Sequence, residues 1–380
     1  MKDMNDMKDM KDMKPLGIYL HVPFCRHKCP YCDFYSVTVT EPLLDAYTDE
    51  TIRRIAALAG QGLCADTVYF GGGTPSLLGG ERIRRLLEAL RGSVAIQDGA
   101  EITVEANPSS DLAAFLAGCA DAGVNRLSLG MQSALQKELS AIGRRHTPDD
   151  VLRAMEAAHR AGIENISLDL MLGIPFQTAE SLDASLDFIA AAAPSHVSAY
   201  MLKIEENTPF HRIRYALPLA DEDGQADLYE HAFGRLDGMG YIQYEISNAA
   251  RKGCESRHNL KYWNCDEYLA LGPSAHGFFQ GRRYCHSRSL QDYLAGAAPT
   301  DDGAGGSPEE YVMLRLRLRE GLTDSGMRER FGLPIPPAMR MRAASPLMTD
   351  FCRCDENGIS LTRKGMLVSN AIIGDLIEQL

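Results

Sequence analysis

Three cysteines near the start of the sequence have a spacing that suits a metal centre. Cys25, Cys29 and Cys32 lie in C-R-H-K-C-P-Y-C, directly after the apolar run G-I-Y-L-H-V-P-F. Cysteine thiolates are the usual ligands of a [4Fe–4S] cluster. Three thiolates for four irons leave one iron open to a small chelating molecule. The spacing therefore predicts a cluster that binds and acts on a ligand, rather than one that only stores an electron.

A structural zinc ion is the alternative for the same residues. Such a site needs four closing ligands, so His21 or His27 would have to complete it, and it usually shows paired C-x2-C arms. Ordinary buried thiols are a second alternative, but three of them rarely cluster within eight residues of a loop. The spacing favours the cluster.

The elements that must position these thiols follow a βα rhythm. From residue 16 to about residue 203, short β-rich runs alternate with amphipathic helical stretches, which is typical of a parallel sheet. Strands that are apolar on both faces and followed by helices favour a curved sheet with helices outside. The sequence predicts an α/β fold, a partial (β/α)6 TIM-like barrel with the thiols on the first βα loop at its C-terminal mouth. The six predicted strands are GIYLHV (17–22), TVYFG (67–71), EITVEA (101–106), RLSLGM (126–131), ISLDLM (166–171) and HVSAYML (196–202).

The rhythm changes after residue 203, and this change sets the predicted domain boundaries. We expect a disordered tail at 1–15, a core barrel at 16–203, a barrel extension at 204–300 and a small C-terminal α+β domain at 308–380. The extension contains a predicted strand, GYIQYEIS (240–247), and TDDGAGGS (300–307) is the predicted linker.

Polar residues and glycines follow the later strands at the same mouth. GGGTPS comes after the second strand, and glycines let backbone groups approach a ligand closely. Glu105, Gln132 and Asp169 end or follow the next three strands and form a ring suited to hydroxyls and an amine. A structural role is the alternative for each of them. Arg144 is the candidate partner for a ligand carboxylate, with Arg145 as its rival.

Several sequence blocks carry a family resemblance. C-x3-C-x2-C on the first βα loop resembles the radical S-adenosylmethionine (SAM) superfamily. Further blocks narrow the resemblance to its coproporphyrinogen-dehydrogenase-like HemN/HemW branch, over nearly all of residues 16–380; they are YLHVPFCRHKCPYCDF, FGGGTPS, TVEANP, RLSLGMQS, DLMLGIP, SAYMLKIEENTPF and YEISNAARKGCESRHNLKYW. The resemblance implies a [4Fe–4S] cluster, SAM on its open iron, and a HemN-type C-terminal domain. It also implies SAM contacts by position, at Tyr19, Gly72, Gly73, Thr74, Glu105, Gln132, Arg144 and Asp169.

Within that branch, the sequence resembles the HemW-type haem chaperones. Asp33 and Phe34 follow Cys32, whereas coproporphyrinogen dehydrogenases carry a further cysteine two residues on, and the segment before the barrel is short. The resemblance implies a chaperone that binds haem as cargo and delivers it to respiratory or other haem-accepting proteins. Two alternatives are an oxygen-independent coproporphyrinogen III dehydrogenase, which decarboxylates its substrate oxidatively, and a haem-degrading radical SAM methyltransferase. Whether the chain is an enzyme stays open, although the features favour the chaperone, and no catalytic residue is predicted.

The segment HNLKYW (258–263) resembles the HNxxYW pattern associated with haem. His258 is the predicted ligand, because its imidazole can bind iron axially while Tyr262 and Trp263 stack on a porphyrin. A packed histidine with a structural hydrogen bond is the alternative. Rival haem ligands are Cys254, Cys265 and His276. The remaining thiols are interpreted as packing or incidental at Cys64, Cys119 and Cys285, and as too short a motif for a metal at Cys352 and Cys354.

Composition limits the partners and the compartment. The 380 residues carry a formal net charge of −12, which argues against broad electrostatic binding of nucleic acid or an anionic membrane. No run of 18 or more apolar residues occurs, and the K-D-M segment at the start lacks the apolar core of a signal peptide. We therefore expect a cytoplasmic protein with reduced thiols, at most peripheral contact with a membrane, and a homodimer as a candidate assembly.

Overall fold

The computed structural model describes residues 14–109 and 112–380. Residues 1–13 of the predicted tail therefore lie outside the described residues. The chain divides into two compact units. The first unit comprises Met1–Asp169, Lys203–Leu217 and Glu267–Gly303, and the second comprises Leu170–Leu202, Pro218–Asp266 and Ala304–Leu380. The predicted domain boundaries differ from this division and stay predictions.

The strands of the described residues are numbered in chain order. They are β1 Leu16–Val22, β2 Phe24–Cys25, β3 Val37–Thr38, β4 Cys64–Gly72, β5 Ala95–Ala106, β6 Arg126–Gln132, β7 Asn165–Leu172, β8 His196–Met201, β9 Ile242–Gln243, β10 Asn248–Ala250, β11 Tyr268–Leu271, β12 His276–Phe279, β13 Arg282–Cys285, β14 Thr300–Ala304, β15 Leu322–Thr323, β16 Cys352–Cys354 and β17 Gly358–Leu361. The six predicted barrel strands correspond to β1, β4, β5, β6, β7 and β8.

Helices separate most of these strands. The α-helices are Glu41–Ala56, Gly79–Ser93, Leu112–Asp121, Gln136–Ala141, Pro148–Arg160, Ala179–Ala192, Pro209–Arg212, Glu222–Gly238, Arg257–Trp263, Leu290–Leu294, Pro308–Arg315, Asp324–Phe331, Pro337–Ala343, Arg363–Leu367 and Ser369–Ile377. Short 3-10 turns lie at Pro75–Leu78 and Arg214–Ala216. None of these helices in the described part of the chain is long and apolar enough to span a bilayer.

The sheet of the first unit brings the carboxyl ends of its parallel strands to one edge. Its strand order is β14-β13-β12-β11-β1-β4-β5-β6-β7, with β7 counted up to Asp169. β1 pairs in parallel with both β4 and β11, and β5 pairs in parallel with β4 and β6. The register sets Val22 beside Gly72 and Ala106 beside Leu129. The loops that follow these strands therefore start at the same edge, as the βα pattern predicts.

Burial explains why the pattern was readable from sequence. Every residue of β6 is buried, and in β1 only Tyr19 keeps appreciable exposure. Strands covered on both faces read as continuous apolar runs rather than as alternating ones. The helix Pro148–Arg160 begins with a capping box, in which the Thr147 side chain accepts from Asp150 N and the Asp150 side chain accepts from Thr147 N. Apolar runs in the sequence thus coincide with observed strands, and a capping signal coincides with the start of an observed helix.

The second unit contains two smaller sheet segments. β10 pairs antiparallel with β8 and β9, and β17 pairs antiparallel with β15 and β16. The predicted strand at 240–247 is wrong in extent, because only Ile242–Gln243 is a strand there. Between β9 and β10 the backbone finds other partners: Ile246 N donates to Arg317 O, and Ser247 N donates to a Glu245 carboxylate oxygen at 3.0 Å.

The predicted linker at 300–307 contains β14, a strand that was not predicted, and one boundary between the two units falls within it, after Gly303. Its composition, T-D-D-G-A, gives no strand signal, and propensity is a weak guide at a sheet edge. The Arg282 guanidinium, at the start of β13, pairs with the Asp301 carboxylate, with Nε 3.0 and 3.1 Å from the two oxygens. A neighbouring strand and an ion pair thus order a segment that local sequence describes as a loop.

Candidate functional site

The three cysteines of the predicted cluster lie on a closed loop of the first unit. Cys25 ends β2, which pairs in parallel with β3, so both ends of the loop are fixed. Cys32 N donates to Cys29 O at 3.1 Å, which forms a turn between the second and third thiols. All three side chains are half-buried. Burial raises the pKa of the Cys32 thiol, and thiolates at Cys29 and Cys25 raise it further because like charges repel.

The glycine-rich segment after β4 lies beside the first thiol. Gly73 N donates to Val22 O and Thr74 N donates to Phe24 O, both at 2.8 Å, so this segment continues the pairing alongside β1 and β2. A Cβ on Gly73 would stand 2.6 Å from Phe24 O and 2.8 Å from Val22 O. Only glycine allows this approach, because both obstacles are backbone atoms. Gly73 is therefore required by the backbone geometry itself.

A chain of hydrogen bonds connects the glycine-rich segment to the cysteine loop. The Thr74 hydroxyl lies 3.6 Å from the Cys25 sulfur and accepts from Asn107 Nδ2 at 3.1 Å. The Arg144 guanidinium donates to Asn107 Oδ1 and, from Nη2 at 2.9 Å, to the hydroxyl of Tyr31. Tyr31 stands between two of the predicted cluster ligands. The network therefore holds the two loops together before any ligand is bound.

These contacts give Arg144 a structural role in addition to its predicted role in ligand binding. Its guanidinium contacts the cysteine loop through Tyr31, so the side chain is a structural tie as well as a candidate partner for a ligand carboxylate. Gly130 makes room for it, because a Cβ there would stand 3.1 Å from Asn107 Oδ1 and 3.0 Å from Gln132 Nε2. The rival, Arg145, is exposed and its Nη1 lies 2.7 Å from a ring nitrogen of His27. The two neighbouring arginines therefore hold different parts of the same loop.

Two carboxylates sit deep in the mouth of the first unit. Glu105 accepts from the Tyr69 hydroxyl at 2.8 Å and from Gly72 N at 3.1 Å. Burial raises its pKa, and these two hydrogen bonds and the positive charge of Arg126 work against that rise. Asp169 accepts from Ser128 Oγ at 3.1 Å, and burial, aided by repulsion from Glu105, raises its pKa to about 7. Both residues are half-buried.

Two further predicted SAM residues complete the set. Tyr19 shares a hydrogen bond of 3.0 Å with His21 Nδ1, and its ring lies 3.1 Å from where a Cβ on Gly71 would stand. Gln132 is 1% exposed and has a φ of +65°, an uncommon backbone state for a non-glycine residue. The structure thus places all eight predicted SAM residues in the first unit, seven of them on or directly after its parallel strands and Arg144 bonded to Asn107, just after β5.

Sequence reasoning missed several residues of this site. Tyr31, Asn107 and Tyr69 each make a hydrogen bond to a predicted site residue. Arg126 is only 2% exposed, and its Nε has no hydrogen-bond partner among the described residues. One sequence signal could have identified Arg126: it is a charged residue at the first position of an otherwise largely apolar strand. The others carried no signal, because a tyrosine between cysteines and an asparagine after a strand are ordinary loop residues.

The predicted haem ligand lies in the second unit, on the helix Arg257–Trp263. The Ser256 side chain caps this helix by accepting from Asn259 N. The i, i+4 spacing puts His258 and Tyr262 on one face, where the histidine Nε2 and the tyrosine hydroxyl share a hydrogen bond of 2.8 Å. The side chain of His258 is 0% exposed, whereas His276, a rival ligand in the first unit, is exposed. Axial ligation by His258 would require this packing to open.

Comparison with known proteins bears on the family. The family model of the radical SAM superfamily matches residues 19–189, and that of the HemN C-terminal domain matches residues 307–368. The chain is 37% identical over 379 residues to "Heme chaperone HemW" of Mycobacterium tuberculosis (strain H37Rv), which covers 96% of this chain and 95% of that protein. The protein of the same name in Bacillus subtilis (strain 168) is 34% identical, with coverage of 95% and 99%. The one in Escherichia coli (strain K12) is 38% identical, with coverage of 80% and 83%.

A solved structure confirms the fold. Coproporphyrinogen III oxidase (HemN) from Escherichia coli, described as a radical SAM enzyme, matches with a TM-score of 0.81 over 97% of this chain and 91% of that one, at 22% identity. The predicted fold class, a partial (β/α)6 barrel followed by a HemN-type domain, is confirmed by this match and by the two family models. Together with the full-length relatives, these findings place the chain in the HemW family of the radical SAM superfamily.

Proposed function

We propose that this chain is a haem chaperone that binds haem and passes it to haem-accepting proteins. The observation that carries the proposal is the extent of the kinship. Relatives that bear the name heme chaperone align with up to 96% of the chain, so both the cysteine loop and the helix Arg257–Trp263 fall within the aligned length. We extend the proposal to the acceptors, which would include respiratory haemoproteins.

The donor set of the first unit fits a [4Fe–4S] cluster. Cys25, Cys29 and Cys32 would hold three of its irons, and thiolate sulfur is the donor that such clusters require. When bound, the cluster supplies one-electron chemistry and an open iron for chelation. The protein's own role is to hold the cysteine loop in place. Arg144 donates a hydrogen bond to Tyr31, which lies between the second and third thiols, and so fixes that part of the loop. Zinc is disfavoured, because both candidate fourth ligands are engaged elsewhere: His21 bonds to Tyr19 and to Tyr35 O, and His27 Nε2 lies 2.7 Å from Arg145 Nη1.

The same edge of the sheet fits SAM. The Gly72–Gly73 segment lies beside Cys25, because its glycines allow close packing against the His21 ring and the backbone of Val22 and Phe24, and its peptide groups would neighbour a ligand held at the cluster. Glu105 and Asp169 offer carboxylate oxygens for ribose hydroxyls and an amine. Thr74 adds a hydroxyl group 3.6 Å from the Cys25 sulfur, and Gln132 at the end of β6 adds an amide group. Each of these residues positions or neutralises part of the ligand, and the proposal needs no bond cleavage in SAM.

The haem site is proposed on the helix Arg257–Trp263, with His258 as the axial ligand. The imidazole Nε2 is engaged with Tyr262, so haem binding has to exchange that hydrogen bond for an iron–nitrogen bond. A local opening of the helix would free the imidazole for this exchange. The helix is only seven residues long, and one side chain, that of Ser256, caps its start. Haem would then bind more slowly than to a preformed open pocket.

An anaerobic haem titration tests the function. Full-length protein is titrated with haem, with and without the reconstituted cluster and SAM, and the haem absorption bands are followed. We expect one haem per chain, and loss of that haem in His258→Ala. Unchanged affinity in the variant would remove His258 as the ligand, while failure of the unaltered protein to bind haem would remove the function.

A second candidate function is oxygen-independent coproporphyrinogen III dehydrogenation, which the fold match with HemN favours. Phe34 stands two residues after Cys32, and its side chain is 64% exposed beside the cysteine loop, where the dehydrogenases have a further thiol. We therefore place this activity second. Incubation of reconstituted protein with SAM and coproporphyrinogen III decides between them. Protoporphyrinogen above the level of a Cys29→Ser control would make the chain an enzyme.

A further inference from the structure

A second group of metal-ligating side chains lies in the first unit, outside the cysteine loop. A ring nitrogen of His276, the sulfur of Cys285 and a carboxylate oxygen of Asp302 all lie within 4.8 Å of one another. It is the one group of at least three such side chains this close together within residues 14–109 and 112–380. Sequence reasoning assigned the histidine to haem and the cysteine to packing, and gave the aspartate no role.

A tight hairpin fixes the first two of these residues. Gln280 and Gly281 connect β12 and β13 and have φ values of +51° and +70°. Positive φ at both central residues is the mark of a type I′ turn, which sets the register of the two strands. The register puts His276 directly opposite Cys285. Directly opposed residues of an antiparallel pair project from the same face, so the imidazole and thiol meet without any bend in the backbone.

The neighbouring pair anchors the hairpin through its other face. Gly277 is opposite Tyr284, and a Cβ on this glycine would stand 2.2 Å from the tyrosine ring. The ring therefore fills the space that a Cβ would need, and its hydroxyl accepts from Ala270 N at 2.7 Å. Because this face is tied to β11, the opposite face of the hairpin is left to present His276 and Cys285.

The third residue comes from β14, at the edge of the same sheet. Asp301 pairs with Arg282 at the start of β13, and the Asp301 carboxylate also accepts from Gly303 N at 2.9 Å. Successive residues of a strand point to opposite faces. Asp302 is thereby turned to the side away from the ion pair, toward Cys285. Three separate strands thus supply one nitrogen, one sulfur and one oxygen to a single point.

We propose that His276, Cys285 and Asp302 form a binding site for a divalent transition-metal cation of the zinc class. Zinc takes imidazole, thiolate and carboxylate at about 2.0–2.3 Å, which puts tetrahedral ligands about 3.5 Å apart. Side chains already within 4.8 Å reach this spacing by small rotations, and two of the three are exposed and able to make them. Calcium and magnesium prefer oxygen ligands only, and a single thiol is too few for an iron–sulfur cluster.

The proposed site has a defined chemistry. Binding displaces the thiol proton of Cys285 to solvent and leaves a metal-bound thiolate. Three protein ligands occupy three of four tetrahedral positions, so water or another exchangeable ligand fills the fourth. The cation would also cross-link β12, β13 and β14, the edge of the sheet in the first unit. Neither the cluster, nor SAM, nor haem is needed for this site.

Thiol protection resolved at single cysteines tests the site in the full chain. The cluster-reconstituted protein is alkylated anaerobically with N-ethylmaleimide, with and without buffered Zn²⁺, and each cysteine peptide is quantified by mass spectrometry. At free zinc ten times the dissociation constant, Cys285 should react about tenfold more slowly, because only about one chain in ten is metal-free. Cys64, a half-buried thiol of the first unit outside the group, is the internal control and should react at an unchanged rate.

Variants and a second ligand make the result decisive. The double variant His276→Gln/Asp302→Asn alters one exposed residue of β12 and one exposed residue of β14 and keeps the thiol, so protection of Cys285 should disappear. Equilibrium dialysis should show one zinc fewer per chain in Cys285→Ser than in Cys64→Ser. Protection that persists in the double variant, or no protection at micromolar zinc, overturns the proposal. Protection by haem but not by zinc also overturns it, in favour of a haem site on the hairpin.

Discussion

Two candidate sites are built in opposite ways. One is the mouth of the first unit, formed by the cysteine loop and the segments bonded to it, and the other is the helix Arg257–Trp263 of the second unit. In the mouth, Cys25, Thr74, Asn107 and Arg144 come from four separate segments and are joined by successive contacts. On the helix, the relevant contact joins two residues one turn apart, and His258 is fully buried. The mouth therefore keeps half-buried donors in place for a ligand, whereas the helix keeps its imidazole closed by a local hydrogen bond.

This difference separates a preorganised site from a closed one. Preorganised donors lose little conformational freedom on binding, so the mouth should bind its groups with little rearrangement. A closed imidazole must first break its own packing, so its apparent affinity falls with the small population of the open form. Four changes break or sharpen this comparison, from the largest expected effect to the smallest.

The largest effect is expected from Cys29→Ser in the mouth. Two thiolates cannot hold the cluster that three are proposed to hold, so reconstituted protein should lose essentially all of its iron and acid-labile sulfide. Both are measured by chemical analysis after anaerobic desalting. Cys64→Ser is the matched control, because its thiol is also half-buried in the first unit. Full cluster content in Cys29→Ser would contradict the proposed ligand set.

The next effect concerns the buried carboxylate at Asp169. Its pKa of about 7 lies above the ordinary value of 3.8, so between these values the folded chain binds a proton that the unfolded chain has lost. Stability must therefore fall as pH rises from 4 to 7, by up to about 4 kcal/mol. Asp169→Asn should make the fall smaller, measured as denaturation midpoints at pH 5 and pH 8, and the remainder comes from other carboxyls such as Glu245, whose burial raises its pKa to about 7. Asp121→Asn, at an exposed position, is the control, and a pH profile in Asp169→Asn identical to the unaltered protein would refute the assignment.

A smaller effect is expected from Gly73→Ala. The added Cβ would meet two backbone oxygens at 2.6 and 2.8 Å, so the segment must shift away from β1 and β2. Overpacking of this kind costs about 1–3 kcal/mol, and SAM binding should weaken because the segment also carries Thr74. Denaturation and equilibrium dialysis of SAM measure the two effects. Gly92→Ala is the control, because a Cβ there meets nothing within 4 Å, and equal behaviour of the two variants would contradict the close approach.

The smallest effect is expected on the helix, from Tyr262→Phe. The change removes the hydroxyl bonded to His258 and should lower the free energy of unfolding by about 1 kcal/mol. If the imidazole is closed by this bond, haem should bind faster in the variant than in the unaltered protein, as followed by stopped-flow absorption. Slower or absent binding would show that the hydroxyl belongs to the haem site instead of closing it.

Much of the mouth was predictable because its residues sit at strand ends. The continuous apolar runs of β1 and β6 indicate parallel strands, and parallel strands bring their carboxyl ends to the same edge of the sheet. Cys25, Glu105 and Asp169 could be assigned to that edge from the sequence alone. Arg126 and Tyr31 could not be assigned in this way, because their importance rests on what they contact. The edge strand β14 was missed for the same reason, since its order comes from a neighbouring strand and an ion pair.

The sequence by itself indicated a thiol-bound metal centre, because thiol count and spacing are local properties that survive in the unfolded chain. It also determined the order of the six parallel strands β1, β4, β5, β6, β7 and β8, through their apolar runs. Only the tertiary structure decided that Arg144 ties two loops together and that His258 is closed. It alone brought His276, Cys285 and Asp302 to one point. These facts depend on distances between residues far apart in the chain, and such distances exist only once the sheet has set its register.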